Sequence, residues 1–235
     1  MRKITAAQIA VFFALLAAAA TAAVATTAGL LGSLPLGDFR GVALTFAGVL
    51  VFYVYAIVIY RLFLRFFPLR PGEIAARSQQ EFVYHVYILF HLILFYPLTL
   101  SGVLPAPLAR TLYIGLGARL GANTYSQGVI LDPPFVTIGA NSVVGLSAIL
   151  CPHVIEGERL AHYPIRIGDR VTIAGTAIVM SDVVIGDGAT VGVGAVVVKG
   201  TRIGPGEIWS GNPARRRGVR RSEVESGSGT GDIES

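Results

Sequence analysis

Imidazole and thiol side chains are scarce in this chain. It has four histidines, His85, His91, His153 and His162, and one cysteine, Cys151. His153 and His162 stand with Glu156 in the stretch CPHVIEGERLAHYP, residues 151–164. A neutral imidazole, with an ordinary pKa near 6.5, accepts a proton at neutral pH, so a histidine here suits deprotonation of a hydroxyl or an amine. His153, at the head of the stretch, is the expected base. His162, two residues before Pro164, reads as a loop residue. His85 and His91 lie six apart in an apolar run and read as polar tips at the headgroup level rather than as catalytic or metal-binding groups. A single cysteine excludes an internal disulfide and is compatible with a reducing compartment.

The segment that must position these residues follows directly. From Ile167 to Trp209 the chain reads IGDRVT IAGTAI VMSDVV IGDGAT VGVGAV VVKGTR IGPGEI W. An aliphatic residue recurs at every sixth position: Ile167, Ile173, Val179, Ile185, Val191, Val197 and Ile203, with Trp209 next in phase. A helix repeats at 3.6 residues and a strand at 2, so neither alone gives this period. A solenoid of short strands and tight corners, three sides to a turn, does. The aliphatic residue should point inward. The next residue, glycine at 168, 186, 192 and 204, should sit at a corner whose backbone angles a side chain forbids. The rhythm extends backwards through Ile114-Gly115, Leu120-Gly121, Ile138-Gly139, Val144-Gly145 and Leu150. Leu150 to Ile167 is one residue short of three hexads, so the chain must loop out between about Cys151 and Pro164. Loops mounted on a rigid scaffold are where function concentrates.

Over roughly residues 110–217 these hexads resemble the hexapeptide-repeat acyltransferases, the left-handed β-helix family. The resemblance implies acyl transfer from acyl-CoA, in its simplest form acetyl-CoA, with no metal cofactor, by a homotrimer. The loop followed by PIRIG resembles the family's active-site segment, with His153 at the histidine position. The run His153, Glu156, Arg159 resembles that of hexapeptide domains at the end of some nonribosomal peptide synthetases, which implies that Glu156 holds the imidazole in its useful tautomer. VGVGAVVVKG (191–200) is similar to the stretch lining the coenzyme A groove between subunits. Gly194 and Lys199 take those positions and Gly175 lies one coil earlier; a solvated corner is the other reading of Lys199. SGNPARRR (210–217) resembles the closing motif, whose basic residue, here Arg215, approaches the nucleotide phosphates; these arginines suit an anionic membrane surface equally. LDPPFVTIG (131–139) resembles the acceptor-side coil of sugar acetyltransferases, with Asp132 and Asn123 facing the acceptor, although Pro133 and Pro134 depart from the pattern. Zinc carbonic anhydrases on this fold need three converging histidines, and only His153 and His162 follow residue 110.

The rest of the chain is unusually apolar. Of 235 residues, 53% are hydrophobic and 14% charged, with a mean hydropathy of +0.65, and the excess lies before residue 110. No charge interrupts the chain between Lys3 and Asp38, or from Gly41 to Tyr60. Each stretch is long enough to cross a bilayer, which takes about 20 apolar residues. Ala23-Val24-Ala25 fits a signal-peptide cleavage site, but a second span follows at once and favours a retained helix. Arg2 and Lys3 flank the first span, and Arg61, Arg65 and Arg70 follow the second, so both ends of the hairpin should face the cytoplasm. Residues 69–81 are polar. In Phe82–Leu100, Pro97 should end or kink a helix after about 15 residues, which predicts an interfacial or re-entrant segment rather than a span. The net charge of +5 and pI near 9.6 come with no nucleic-acid recognition motif; anionic lipid headgroups or phosphate-bearing ligands account for it. Gly192 and Gly194 belong to the hexads, so no dinucleotide fingerprint is present.

The expected architecture is an N-terminal transmembrane α-helical hairpin (1–68), an interfacial or re-entrant segment (69–109), an all-β left-handed parallel β-helix (110–217) and a disordered tail (218–235). The expected function is a multi-pass inner-membrane acyltransferase whose β-helix faces the cytoplasm. It would act on a hydroxyl or amine of a membrane-associated acceptor, such as a lipid-linked sugar or glycolipid. The competing reading is a non-catalytic β-helix scaffold that organises a membrane complex; such a scaffold has no need of a histidine-bearing interruption.

Overall fold

In the computed structural model, which describes residues 2–35 and 37–220, the six-residue rhythm becomes a three-sided coil of parallel strands. Successive strands of two to four residues visit three sheets in rotation. Ile165–Ile167, Val184–Ile185 and Arg202–Ile203 fall in one, Thr172–Ile173, Thr190–Val191 and Glu207–Ser210 in the next, and Ile178–Val179 and Val196–Val197 in the third. In-phase residues one full turn apart pair in parallel, as Ile167 with Ile185, Val179 with Val197 and Ile185 with Ile203. All seven aliphatic hexad residues are buried, and they form the interior of this unit.

The glycines do a different job from the one expected. None of Gly168, Gly186, Gly192 and Gly204 has a positive φ. The left-handed residue stands two places later, at Arg170, Thr176, Asp182, Gly188, Gly194, Gly200 and Gly206. What the first glycine supplies is room. A Cβ on Gly186 would lie 2.6 Å from the backbone nitrogen of Pro205 in the next coil, and one on Gly121 would lie 2.5 Å from that of Ala140.

The rhythm breaks twice. Ile138 pairs with Ile167 and Leu150 with Val179, so 29 residues separate partners that a regular coil spaces by 18. The eleven extra residues are His153–Tyr163, which cluster with the helical part of the chain. One coil earlier the step from Ile130 to Ile138 takes eight residues, and it contains the 3-10 turn Pro133–Phe135. Asp132–Phe135 also cluster with the helical part. Both departures fall between the third sheet and the first, at the same corner of successive coils.

The second compact unit comprises the residues up to Ala118 with these two excursions. Helix α1 (Ala6–Leu31) opens on a capping box, with Thr5 and Gln8 each bonded to the other's backbone nitrogen. Helix α2 (Arg40–Phe66) returns along it. Helix α3 (Gln79–Phe90), capped by Ser78, runs into a π-helical turn (His91–Phe95) and then α4 (Tyr96–Leu100). Three segments, Ala6–Leu31, Gly37–Phe66 and Gln79–Leu100, are by length and composition able to cross a membrane. The third is 22 residues, not the 15 predicted from Pro97. Pro97 falls in the first turn of α4, just where the π turn has shifted the hydrogen-bond ladder, so its missing N–H costs little. The polar connection 69–81 contributes a short strand, Gly72–Glu73, antiparallel to Arg159–His162, which pairs antiparallel with His153–Glu156.

Residues 106–116 form a helix, α5 (Ala106–Leu116), where Ile114-Gly115 had suggested a first coil. Pro105 and Pro107 start it, Leu112, Tyr113 and Leu116 bury one face at helical spacing, and Gly117, at φ 115°, ends it. The first coil strand is Arg119–Leu120. At the far end Arg215–Val219 pair antiparallel with Glu207–Ser210, so 218 and 219 are strand rather than tail; residues 221–235 lie outside the described ones.

Gly186→Ala should lower the unfolding free energy by about 1–3 kcal/mol, the usual cost of overpacking, because its Cβ would meet backbone atoms. Chemical denaturation in mild detergent measures this, and an unchanged midpoint would contradict the close-approach account.

Candidate active site

The two excursions bring three residues together inside the helical unit. Asp132 precedes the 3-10 turn, with its carbonyl accepting a bond from the Phe135 nitrogen at 3.0 Å, and it is completely buried. His153 begins one strand of the antiparallel hairpin, and His162 ends the other, directly opposite it in register. Cross-strand partners share a face. Asp132 Oδ2 lies 2.6 Å from His153 Nδ1, and Oδ1 lies 3.6 Å from His162 Nε2. The His162 ring stacks on Phe135 at 4.5 Å and 10°.

A bare carboxylate in this position would be costly. Burial raises the Asp132 pKa, but the hydrogen bond to His153, and then the proximity of His162, outweigh it and hold the carboxyl below the ordinary carboxylate range. Asp132 is therefore ionised at neutral pH and can only accept hydrogen bonds. That assigns the proton to His153 Nδ1 and leaves Nε2 as the nitrogen able to take one. The His153 side chain is 22% exposed and that of Asp132 1%. A buried anion thus orients a partly exposed imidazole, the arrangement that general-base catalysis by histidine requires.

Behind Asp132 stands a wall of aromatic residues from the helices. The Tyr87 hydroxyl, on α3, donates to Asp132 Oδ1 at 3.0 Å. The His91 ring lies 4.4 Å from that of Tyr87, and His91 Nε2 is 3.2 Å from the Tyr60 hydroxyl on α2. The Tyr84 ring is 5.4 Å from that of His162.

Several assignments from sequence change. Glu156 does not touch His153; it is exposed and bonds Arg159 Nη1 at 3.3 Å, while Arg159 also bonds Glu73 at 2.6 Å. Three residues along a strand reverse the side chain's face, so Glu156 points away from the imidazole. Asp132, expected to face an acceptor, instead takes the orienting place. His162 is not a loop residue on the surface but a fully buried strand residue. His85 and His91 are buried rather than interfacial, with His85 Nδ1 bonded to Gln8 Oε1 at 3.1 Å. The other candidates lie in the coil unit. Asn123 is exposed and left-handed, with its amide donating to Asn141 Oδ1 at 3.1 Å. The Gly194 nitrogen donates to the Gly175 carbonyl at 3.2 Å across successive coils. Lys199 is half-buried at a corner, and Arg215 is exposed on the closing strand. Sequence reading missed Tyr87 and Tyr60. The helical spacing of Tyr84, Tyr87 and His91, which puts all three on one face, was the available signal for Tyr87.

No family model matches the sequence, and no curated protein matches it. Among solved structures, a hexapeptide-repeat acetyltransferase of Vibrio cholerae O1 biovar eltor, complexed with acetyl coenzyme A, matches at 26% identity and a TM-score of 0.42, over 46% of this chain and 63% of that one. A maltose O-acetyltransferase of Clostridium difficile 630 matches at 26% identity and a TM-score of 0.42, over 46% and 62%. A serine acetyltransferase of Vibrio cholerae O1 biovar El Tor N16961 matches at 18% identity and a TM-score of 0.40, over 92% and 71%. The chain thus spans less than two thirds of the length of the first and second of these structures.

The depressed Asp132 pKa has a consequence for stability. A carboxyl held below its unfolded value stabilises the fold above the unfolded pKa, near 4, and that contribution is lost as pH falls through the folded value. The melting temperature of wild type should therefore exceed that of Asp132→Asn most at neutral pH, with the gap closing under acid. A gap that stays constant from pH 7 down to about 3 would contradict this.

Proposed function

We propose that this protein is an acyl-CoA-dependent acyltransferase working at a membrane surface, with His153 as its general base. The observation that carries the reading is the 2.6 Å bond between the buried Asp132 and the partly exposed His153. The hexad motifs, which resemble those of the left-handed acyltransferases, supply the donor side. Nε2 of His153 takes the proton of an acceptor hydroxyl or amine as that atom attacks the thioester carbonyl. The new C–O or C–N bond forms, the C–S bond breaks, and the proton passes on to the departing thiolate of coenzyme A. Asp132 stabilises the imidazolium that exists between these steps and fixes its tautomer. Gly175 and Gly194 would leave space for the pantetheine arm, and Lys199 and Arg215 would meet the nucleotide phosphates as charge-assisted donors. Asn123 would contact the acceptor. Three copies would complete the donor groove between subunits. A pure scaffold leaves the ionised, buried Asp132 without a use, and that burial is expensive.

The membrane reading rests on the three apolar segments and on how the chain returns from them. Helix α5 brings the chain back beside α2: the Tyr60 hydroxyl bonds the Leu116 carbonyl at 3.4 Å, and a Cβ on Gly117 would lie 2.6 Å from Arg61. Arg61 belongs to the arginine-rich end of α2. On this reading the segment from Gln79 to Leu100 enters the bilayer and α5 returns, so that the third apolar segment would be re-entrant with two crossings. An acceptor at the cytoplasmic face, such as a lipid-linked sugar or glycolipid, would suit that placement.

Transfer is measured as thiol release from acetyl-CoA by the detergent-purified protein, with a membrane lipid and glycolipid extract as acceptor. His153→Ala should lower the rate by about 10²–10⁴-fold with coenzyme A binding unchanged; turnover near the wild-type rate overturns the base assignment. For topology, a fluorescent protein fused after Ser235 should be active in cells. A periplasmic phosphatase active at the same point would instead overturn the two-crossing arrangement and remove the access to acyl-CoA with it.

A further inference from the structure

We propose that Tyr87 is a positioning residue for the Asp132–His153 pair, so that the helical unit belongs to the proton-transfer machinery and is more than an anchor. The inference builds on the reading of His153 as a base but concerns the imidazole itself, and it can be tested without any acceptor.

Asp132 has two oxygens to satisfy. Oδ2 is committed to His153, and of the groups around Oδ1 the Tyr87 hydroxyl, at 3.0 Å, is within hydrogen-bond range while His162 Nε2, at 3.6 Å, is beyond it. Asp132 and Tyr87 are both fully buried, so solvent cannot take over the second oxygen. Without Tyr87 the carboxylate would keep a full, partly unsatisfied charge and would be freer to turn about its Cβ–Cγ bond. The direction of the Nδ1 hydrogen bond, and with it that of the imidazole, would be less firmly fixed.

The tyrosine is itself held from several sides. Its ring contacts His91, in the π-helical turn, at 4.4 Å and Tyr60, on α2, at 5.9 Å. The Tyr60 hydroxyl is tied in turn to His91 Nε2 and to the Leu116 carbonyl. A tyrosine has only two side-chain torsions, so ring packing of this kind fixes where the hydroxyl points. The one π turn among the described residues lies directly after Tyr87's helix, and such turns concentrate at functional sites. The titratable groups that face Asp132 are therefore His153 and His162 from the hairpin, Tyr84 and Tyr87 from α3, His91 from the π turn and Tyr60 from α2.

The direction of the effect follows from charge. A hydroxyl donating to a carboxylate draws negative charge away from the oxygen that faces His153. Removing it leaves more charge opposite the imidazole and favours its protonated form.

The experiment titrates ¹⁵N-labelled histidines by NMR in detergent, with His153 assigned by its loss in His153→Gln. Tyr87→Phe keeps the ring and removes the hydroxyl, and should raise the His153 titration midpoint by roughly half a unit or more. Replacing Tyr87 by 3-fluorotyrosine, a stronger donor of nearly the same size, should move the midpoint down. It also keeps the test open if Tyr87→Phe fails to fold. Tyr60→Phe, which leaves the bond to Asp132 in place, should shift the midpoint less than Tyr87→Phe does. Where acyl transfer is measurable, Tyr87→Phe should lower kcat roughly 10- to 100-fold, the worth of a hydrogen bond to a charged group, with KM for acetyl-CoA unchanged. A midpoint that ignores both Tyr87 substitutions, or moves the same way in both, overturns the proposal. Opposed shifts in a protein whose His153→Ala variant still transfers acyl groups would uphold the positioning role and defeat the acyltransferase reading alone.

Discussion

A single ionised carboxylate, sealed from solvent, is the constraint around which the helical unit is arranged. Asp132 has no exposure, with His153 bonded to one carboxylate oxygen and the Tyr87 hydroxyl to the other. Burial alone would neutralise such a group, and the hydrogen bond to His153 and the proximity of His162 together reverse that preference. The partners come from distant parts of the chain, α3 for the tyrosine and an excursion from the coil for the histidine. Each must be in place for the others to be satisfied. Both Asp132 oxygens find a partner, whereas the ring nitrogens of the buried His162 have no hydrogen-bond partner among the described residues. The satisfied Asp132 contacts favour one arrangement of their side chains. The aromatic wall of Tyr60, Tyr84, His91 and Phe135 supplies the shape that leaves no easy alternative.

Much of the coil was legible from sequence because its signal is periodic and redundant. Seven aliphatic residues at intervals of six fix both the inward face and the parallel register, and no single substitution would hide them. The role of the following glycine was not legible, since a glycine needed for space and one needed for a left-handed angle are written with the same letter. The strained position is held by arginine, threonine and aspartate as well as glycine, so composition there carries no mark. At the start of the coil the rhythm misled: Ile114-Gly115 falls in phase but is helical, because Pro105 and Gly117 delimit a helix with its own apolar face.

The candidate site was legible in place but not in detail. The missing residue between Leu150 and Ile167 marked the loop that carries His153, since an interruption of a strict period is as visible as the period itself. The partner was misassigned. Glu156 is close in sequence, but three residues along a strand point it to the opposite face. Asp132 is 21 residues away and meets His153 because the chain leaves two successive coils at one corner. That second departure is hidden in a coil whose start and end, Leu120 and Ile138, remain in phase. Tyr87 was further out of reach: a tyrosine in an apolar run looks like an interfacial anchor until its partner is known.

These errors share a cause. Local pattern reports which face of an element a residue occupies, while which side chains come together depends on which elements meet, and the two excursions decide that here. A strictly regular coil would have put every side chain into its own interior or into solvent, and would have had no means of pairing a carboxylate with an imidazole away from water. By interrupting the coil at one corner on two consecutive turns, the chain delivers a carboxylate from one excursion and an imidazole from the other to the same place. It then closes them off with residues of the apolar helices. The regular part fixes where the excursions begin and end, and the irregular part does what regularity cannot: it buries a charge beside the group it must orient.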